Sequence, residues 1–502
     1  MGISLKSCLI DGLIYGVSED LPDLEIQGLT PDSRRVQDGF LFAAILGAHT
    51  HGGKFIKDAV GSGAKVILAD MQVAVEMADI FANDPRNIVF LKSPNVRKAL
   101  SVLAGKFYPK TPQFIAAVTG TNGKSSVVTF ARQLWGGVGQ KAASFGTLGL
   151  QVEGISKEKL PTLEALTTPN VVELRETLEI LEFQGVEHCA FEASSHGLDQ
   201  YRLDDVNLTV GVFTNFTRDH LDYHKSMQSY FAAKMRLFNE LLSSDGLAIL
   251  CADDPKFEDV KAICESRNHS VWSYGKQARE FKLLSVKPDH KGQHLKCEIF
   301  GKTHEFYLPF AGSFQALNIL ASIGVVLKSG VANLEHILEC TQKLEGVPGR
   351  MECAGLSPQK SAYVDYAHTP DALENALKAL RPHAENRLIL VFGCGGDRDV
   401  TKRPLMGQIA RRYADKIIVT DDNPRSENPM KIRQAILKTC PEAIEIGDRE
   451  EAIYTGIQEL KSGDILLVAG KGHEAYQIIG NDIRDFDDVK MVQKYWCEGG
   501  CK

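Results

Sequence analysis

The sequence predicts an α/β protein of three domains: a small N-terminal α/β domain (residues 1–110), a central P-loop-type doubly wound sheet (111–345) and a C-terminal Rossmann-like domain (346–502). Three observations predict it. The chain has 502 residues, and a single hydrophobic core rarely grows past about 250–300. Short apolar runs alternate with helical stretches, the pattern of parallel sheets covered on both faces. Breaker clusters interrupt it at Tyr108-Pro109-Lys110-Thr111-Pro112 and Gly346-Val347-Pro348-Gly349, where proline disfavours helix in the residue before it.

In the N-terminal part, residues 39–44 are apolar and precede a glycine-bounded loop at 47–53. Residues 58–62 lead into a second buried strand at 65–69. From Phe114 the pattern sharpens. Residues 114–119 read as a buried strand, residues 125–135 as a helix, and further strands fall at 188–191, 208–214 and 247–251. Beyond Gly349, strands at 387–392, 416–420 and 464–469 each end in a polar loop. Ligands of open α/β sheets bind outside the carboxyl ends of the strands, so those three loops are expected to share one pocket. No internal repeat or low-complexity segment is visible.

Composition narrows the function classes. With 57 basic and 64 acidic residues the net charge is −7, which provides no electrostatic footprint for nucleic acid. No apolar stretch reaches the roughly 18 residues of a membrane span, and no apolar run follows the N-terminus as in a signal peptide. Eleven scattered cysteines without a CxxC pair fit a reducing compartment. A cytoplasmic location is expected.

Gly120-Thr121-Asn122-Gly123-Lys124-Ser125 lies between the strand and the helix. Backbone N–H groups of such a loop can cradle phosphate oxygens, and the helix N-terminus adds partial positive charge. Lys124 would reach the β- and γ-phosphates and the Ser125 hydroxyl would bind Mg²⁺. The alternative is a glycine turn carrying a surface lysine.

Glu192 closes the strand at 188–191, a position suited to a second Mg²⁺ ligand beside a phosphate loop. His220 stands among Asp219, Asp222 and His224. It reads either as a metal ligand or as a structural histidine. Lys234, by itself, reads as a solvated helix lysine. In the C-terminal loops, Arg398, Asp422, Asn423, Arg425, Gly470 and Glu474 combine two arginines, an amide and two carboxylates. An arginine fork binds a carboxylate in a bidentate manner and acidic or amide oxygens accept from an ammonium. The set suits a zwitterion, and an amino acid with two zwitterionic ends would use more of it.

These segments resemble one family in motif order along nearly the whole chain. Thr119 to Ser126, Glu192-Ala-Ser-Ser-His-Gly197, Asn215 to His224 and Ala232-Ala233-Lys234 are similar to the central segments of the Mur ligases and their folylpolyglutamate synthase relatives. The resemblance implies an ATP-dependent, ADP-forming amide ligase of bacterial peptidoglycan synthesis. It implies that ATP contacts Gly120, Thr121, Asn122, Gly123, Lys124, Ser125 and Ser126, with Asn318 at the adenine, Arg350 at a phosphate, and Asp365 and His368 close by. Ser125, Glu192 and His220 would hold Mg²⁺, and Lys234 would carry CO₂ as a carbamate (N6-carboxylysine). Ser33, Thr167, Thr168, Ser194, Gln200 and Arg202 would bind a UDP-N-acetylmuramoyl dipeptide.

Asp422-Asn423-Pro424-Arg425 resembles the signature of the family members that add meso-2,6-diaminopimelate, and implies that Arg398, Asp422, Asn423, Arg425, Gly470 and Glu474 contact that amino acid. His51 and Leu166 depart from the family pattern, which has an acidic residue and an asparagine more often there. Two alternatives stay open: a lysine-adding or tripeptide-recycling sister ligase, and a non-catalytic ATP-binding regulator. A monomer is expected.

Overall fold

The computed structural model describes residues 2–47, 51–155, 167–289 and 292–498. Three large sheets, in chain order, give the three-domain α/β architecture, with two further two-stranded sheets. Among the described residues no helix is long and apolar enough to cross a membrane.

The first sheet has five strands in the order Tyr15–Gly16, Val89–Ser93, Val66–Asp70, Phe40–Ala43, Gly28–Thr30. All neighbours are parallel except the first pair. Its core extends beyond itself, because Val171 and Val172 at the start of helix Val171–Phe183 pack with Leu100, Leu103 and Phe107. Arg175 of that helix is buried and donates to the carbonyls of Gly105 (3.2 Å), Tyr108 (2.9 Å) and Asp205 (3.1 Å). Ser101 Oγ donates to the Asp204 carbonyl at 2.7 Å. The N-terminal sheet is thus fastened by apolar packing and buried hydrogen bonds.

The central sheet has ten strands. Phe114–Thr119 lies inside it, flanked by His188–Glu192 and Leu208–Phe213, and all six of its residues are buried. Strand geometry sends alternate side chains to opposite faces. Phe114, Ala116 and Val118 enter the core under helix Lys124–Gly137, while Ile115 and Ala117 enter the core on the other face. A fully two-sided burial explains why the run is apolar without alternation. Helix Ser313–Lys328 packs beside Lys124–Gly137, where Ser322 Oγ donates to the Val127 carbonyl at 3.0 Å. Beyond Ser270–Gly275 the sheet continues into Phe281–Pro288 and two antiparallel strands, Gln293–Ile299 and Lys302–Leu308.

The third sheet has the order Glu352–Leu356, Ser361–Asp365, Ile465–Ala469, Leu388–Phe392, Lys416–Val419, Ile444–Glu445, parallel after its first pair. Two strands expected to begin at Arg387 and Asp464 begin one residue later. The cause is local: Arg387 Nη2 donates to Asp464 Oδ2 at 2.6 Å, which ties the two strand entrances together. The connection from the central sheet ends at Gly349. A side chain there would lie 2.1 Å from the His473 amide nitrogen, and its φ is +64°, so glycine is required for this approach.

Beneath the third sheet's strand ends, Arg449 and Asp488 form a fully buried bidentate pair at 2.8 and 2.7 Å. Arg449 also donates to the Ala469 carbonyl at 3.1 Å, just before Gly470. Removing one partner of such a pair strands a buried charge. Asp488→Ala is therefore expected to lower unfolding free energy by about 3–5 kcal/mol, read from the urea denaturation midpoint; a change below about 1 kcal/mol would mean the pair behaves as an exposed one.

Candidate active site

The glycines of the loop after Phe114–Thr119 are dictated by close approach. A Cβ at Gly120 (φ +148°) would lie 1.9 Å from Thr214 Oγ1, and one at Gly123 (φ +88°) would lie 2.6 Å from Asn318 Oδ1. Asn215 fixes the loop between them. Its carbonyl accepts from Thr121 N at 2.9 Å and its Oδ1 from Asn122 N at 2.9 Å. Lys124 Nζ donates to the carbonyls of Thr121 (2.8 Å) and Gly120 (3.1 Å). Desolvation lowers its pKa, opposed by the Glu192 carboxylate.

Glu192 is buried at its strand end and gathers neighbours from two segments. Oε1 accepts from Ser125 Oγ (2.8 Å) and Thr147 N (2.8 Å), and Oε2 from Thr147 Oγ1 (3.2 Å). His220 sits in the left-handed region (φ 52°), its amide donating to Asp219 Oδ1 at 2.8 Å. Desolvation in the pocket lowers its pKa to about 4, against the pull of Asp219. The imidazole is thus neutral near pH 7, the form that ligates metals. Among the described residues no group of three or more His, Cys, Asp or Glu side chains is placed to hold a metal. Mg²⁺ usually takes one or two carboxylates plus substrate phosphates and water, and a Ser hydroxyl and a carboxylate 2.8 Å apart beside a phosphate loop fit that demand.

Lys234 is 1% exposed, which overturns its reading as a solvated helix lysine. Helix Met227–Arg236 carries it beneath the loop, where Nζ donates to the Gly120 carbonyl at 2.7 Å and lies 4.6 Å from the centre of the Tyr230 ring. Burial first, and the Lys124 charge second, push its pKa well below the ordinary amine value. A neutral amine is nucleophilic.

Three contiguous cavities lead away from the loop, two of them lined by it. One is lined by Asn122, Gly123, Ser126, Asn318, Arg350, Asp365 and His368, with Phe314 and Tyr274 as apolar walls. Here the Arg350 guanidinium lies 4.4 Å over the Tyr366 ring, Nη2 reaches Ser125 Oγ at 3.3 Å, and buried Nε makes no hydrogen bond. Asp365 also organises the backbone, accepting from Met351 N (2.6 Å) and Ala367 N (2.8 Å). The second cavity joins Thr121, Lys124, Ser125, Glu192, His220 and Lys234 to Thr167, Thr168, Ser194 and Arg202. Thr168 Oγ1 donates to the Glu192 carbonyl at 2.8 Å and lies 2.9 Å from Ser194 Oγ. Arg202 donates to the Thr168 carbonyl (2.5 Å) and to Gln200 Oε1 (2.8 Å).

The third cavity gathers Arg398, Asp422, Asn423, Arg425, Gly470 and Glu474, as the strand-end argument requires. Asn423 Nδ2 donates to Glu474 Oε2 at 2.8 Å, and Arg425 Nη1 to the Gly396 carbonyl at 2.8 Å. A Cβ at Gly470 would lie 2.5 Å from Asp422 Oδ2. The second and third cavities share His196, Asp219, His220, Tyr366 and His368, so the carboxylate-rich and phosphate-loop regions are one continuous site. Polar contacts bridge the central and C-terminal sheets around it. Asn122 Nδ2 and Thr217 Oγ1 meet Asp371 Oδ2 at 3.1 and 3.4 Å, and Arg218 meets Asp399 (3.5 Å) and Thr401 (3.1 Å).

Ser33 is half-buried in the 3₁₀ turn Ser33–Arg35 of the N-terminal domain, next to Asp32, which caps the turn, and apart from those three cavities. His51 caps its own turn through Nδ1 (Gly53 N, 2.9 Å) and pairs with Asp70 at 3.1 Å. Residues 48–50 and Leu166 lie outside the described residues. Sequence reasoning passed over Tyr366, His196, Thr147, Asn215 and Lys471. Tyr366 sits within Asp365-Tyr366-Ala367-His368 and Asn215 opens the motif that carries His220, so neighbourhood alone could have flagged both.

Comparisons with known proteins agree with this geometry. The chain matches family models for the Mur ligase family catalytic domain at residues 25–108, the Mur ligase middle domain at 118–326 and the Mur ligase glutamate ligase domain at 349–472. It is 46% identical over 470 residues to the UDP-N-acetylmuramoyl-L-alanyl-D-glutamate–2,6-diaminopimelate ligase of Caulobacter vibrioides, covering 93% of this chain and 94% of that one. It is 44% identical over 485 residues to the ligase of the same name from Zymomonas mobilis, covering 96% of each. A solved structure of a UDP-N-acetylmuramoyl-L-alanyl-D-glutamate–2,6-diaminopimelate ligase superposes with a TM-score of 0.69 at 31% identity, over 99% of both chains.

Burial pushes the Asp365 carboxyl up from 3.8 to about 6, against the lowering effect of Arg350. Between those values the folded protein keeps a proton that the unfolded chain has released, so stability falls as pH rises through this window. The stability of the native protein relative to Asp365→Asn is expected to drop by about 2–3 kcal/mol between pH 4 and pH 7, measured by urea unfolding at each pH; a flat difference would mean Asp365 titrates as an ordinary carboxyl.

Proposed function

This chain belongs to the Mur ligase family, and we propose that it adds meso-2,6-diaminopimelate to UDP-N-acetylmuramoyl-L-alanyl-D-glutamate, converting ATP to ADP and phosphate, in the cytoplasmic stage of peptidoglycan synthesis. The observation that carries the reading is the third cavity: Asp422, Asn423 and Arg425 at one strand end face Glu474 at another, and the pocket opens onto the phosphate loop. The 46% identity to a ligase of that name supports it.

A carboxylate is a poor electrophile, and the chemistry runs in two steps. An oxygen of the D-glutamate γ-carboxylate attacks the γ-phosphorus of ATP, the bond to the β-phosphate oxygen breaks, and ADP leaves. Lys124 and the loop N–H groups hold the phosphate oxygens and offset their charge. The neutral amine of diaminopimelate then adds to the acyl carbon. The resulting tetrahedral intermediate expels phosphate and loses a proton to solvent. Ser125, Glu192 and His220 would hold Mg²⁺, which supplies charge neutralisation at the phosphates when bound. Arg350, with its unpaired Nε aimed among buried groups, is suited to a phosphate oxygen, and Asn318 to the adenine edge.

Lys234 would carry a carbamate. Its nitrogen lone pair adds to the carbon of CO₂ and one N–H proton is released, turning a neutral amine into an anion beside the metal residues. Deep burial and a depressed pKa favour the amine form this needs. Residues 1–110, with Ser33, would take the uridine end of the substrate, residues 111–345 would take ATP, and Thr167, Thr168, Ser194, Gln200 and Arg202 would line the path between them. Residues 346–502 would take the amino acid, with Arg398, Arg425 and Gly470 completing its pocket. The protein would act as a monomer.

Phosphate release with ATP, Mg²⁺ and UDP-N-acetylmuramoyl-L-alanyl-D-glutamate is expected with meso-diaminopimelate and not with L-lysine or without an amino acid. Release with lysine instead would refute the assignment of residues 422–425. Lys124→Ala is expected to lose more than about 100-fold in kcat. Arg425→Ala should raise the diaminopimelate KM by about tenfold or more and leave the ATP KM nearly unchanged; equal rises would count against a zwitterion pocket. ¹³C-bicarbonate is expected to yield a protein carbamate resonance that is missing in Lys234→Met, and an identical spectrum from that variant would remove the carbamate.

A further inference from the structure

Below the third cavity lies a lysine that none of the steps above uses. Lys471 is fully buried. Its Nζ donates to the Tyr476 carbonyl, to Asn423 Oδ1 at 3.4 Å and to Glu474 Oε2 at 3.4 Å. Asn423 Oδ1 also accepts from Ile478 N at 2.9 Å, while its Nδ2 donates to Glu474 Oε2 at 2.8 Å. A side-chain amide has one acceptor and one donor end, and here the oxygen is committed inward on two donors. What remains for a ligand is an N–H of Asn423 and the Oε1 oxygen of Glu474.

We propose that Lys471 is a positioning residue for amino-acid recognition, which holds the inner oxygen of Glu474 and, with the Ile478 amide, the oxygen of Asn423, so that Glu474 Oε1 and an Asn423 N–H face the ligand. The inference rests on the ligase reading given above. Glu474 needs such help. Burial raises its pKa and so does the neighbouring Asp422, whereas Lys471 is the largest lowering influence and the Asn423 bond the next group. The other charged or titratable groups around it are Arg449 beneath, Tyr366 and Tyr476 at the sides, and Arg398, Arg425, Lys402, His368, Asp219 and His220 across the same cavity. Of the cations named, Lys471 alone reaches Glu474 by hydrogen bond. Without it, Asn423 Oδ1 keeps only the Ile478 amide and Glu474 loses its hydrogen-bonded cation, so Glu474 takes up a proton more readily and presents a donor where the ligand's ammonium needs an acceptor.

The test uses the full-length enzyme and Lys471→Met, which retains length without charge, with Lys471→Gln as a second variant. Lys471→Met is expected to raise the diaminopimelate KM by about 30-fold or more, with the ATP KM within about twofold. The ratio of variant to native diaminopimelate KM should fall as pH rises from 6.5 to 8.5, because Glu474 regains its charge. In a Glu474→Gln background the same substitution should cost far less, since its partner is already neutral. Equal rises in both KM values, a pH-independent ratio, or full additivity with Glu474→Gln would each overturn the proposal. Failure of both Lys471 variants to fold would assign the residue to stability and overturn it too. If the native enzyme gives no product with diaminopimelate, the ligase reading falls and takes this inference with it; native turnover with ordinary variants removes the inference alone.

Discussion

Two lysines share one carbonyl oxygen. Lys124 and Lys234 approach the Gly120 oxygen at 3.1 and 2.7 Å from sequence positions more than a hundred residues apart. Like charges at this range in a water-poor site repel strongly, and burial together with the Lys124 charge pushes the Lys234 pKa well below the ordinary amine value. Much of the site follows from that. The loop must bend tightly enough to expose the Gly120 carbonyl inward, which requires its positive φ. Thr214 and Asn215 must come close enough to hold the bend, which leaves no room for a side chain there. Glu192 supplies the nearby negative charge that favours the charged form of Lys124.

The same economy organises the third cavity. Charged groups arrive from three strand ends, and each is steadied by something beneath it. Arg449 and Asp488 brace the Ala469 carbonyl before Gly470. Lys471 braces Asn423 and Glu474. The Gly470 amide itself donates to the Asp365 carbonyl at 3.0 Å, which joins this floor to the strand whose turn carries Tyr366 and His368. Those two side chains stand where the second and third cavities meet.

The parts of the structure legible in the sequence were those encoded locally. A wholly apolar run followed by glycines and Lys124-Ser125 specifies strand, loop and helix within a few residues, because two-sided burial and positive φ each demand particular residue types. The three C-terminal strand ends were legible for the same reason, and topology then forces their loops together. Other features depend on distant packing. Lys234 stands on a helix whose neighbours look like a solvated face; only its docking against the Gly120 loop makes it a buried amine. Lys471 lies between glycines and reads as a surface lysine until the hairpin Tyr476–Ile479 and Asp482–Asp485 folds over it. The first half of strand Phe281–Pro288 and all of Gln293–Ile299 alternate more and less buried positions, so a search for continuous apolar runs passes over them. Family resemblance, rather than local pattern, pointed to Lys234 and to the order of the substrate residues.

The two outer domains are attached to the central one by different kinds of contact. The N-terminal sheet shares its core with helix Val171–Phe183 and is laced to it by buried Arg175. Around the site, the C-terminal sheet meets the centre through Asp371, Asp399 and Thr401, on polar groups that water can replace at little cost. Such a molecule would work as a fixed bed with one separable jaw. The bed would set the length at which a long, nucleotide-tethered substrate is measured, so that its reactive end always reaches the same point. The jaw would part along contacts that are mostly polar, with Ala311 and Phe314 as the apolar exception, and discharging a bulky product need not loosen the ruler that measured it.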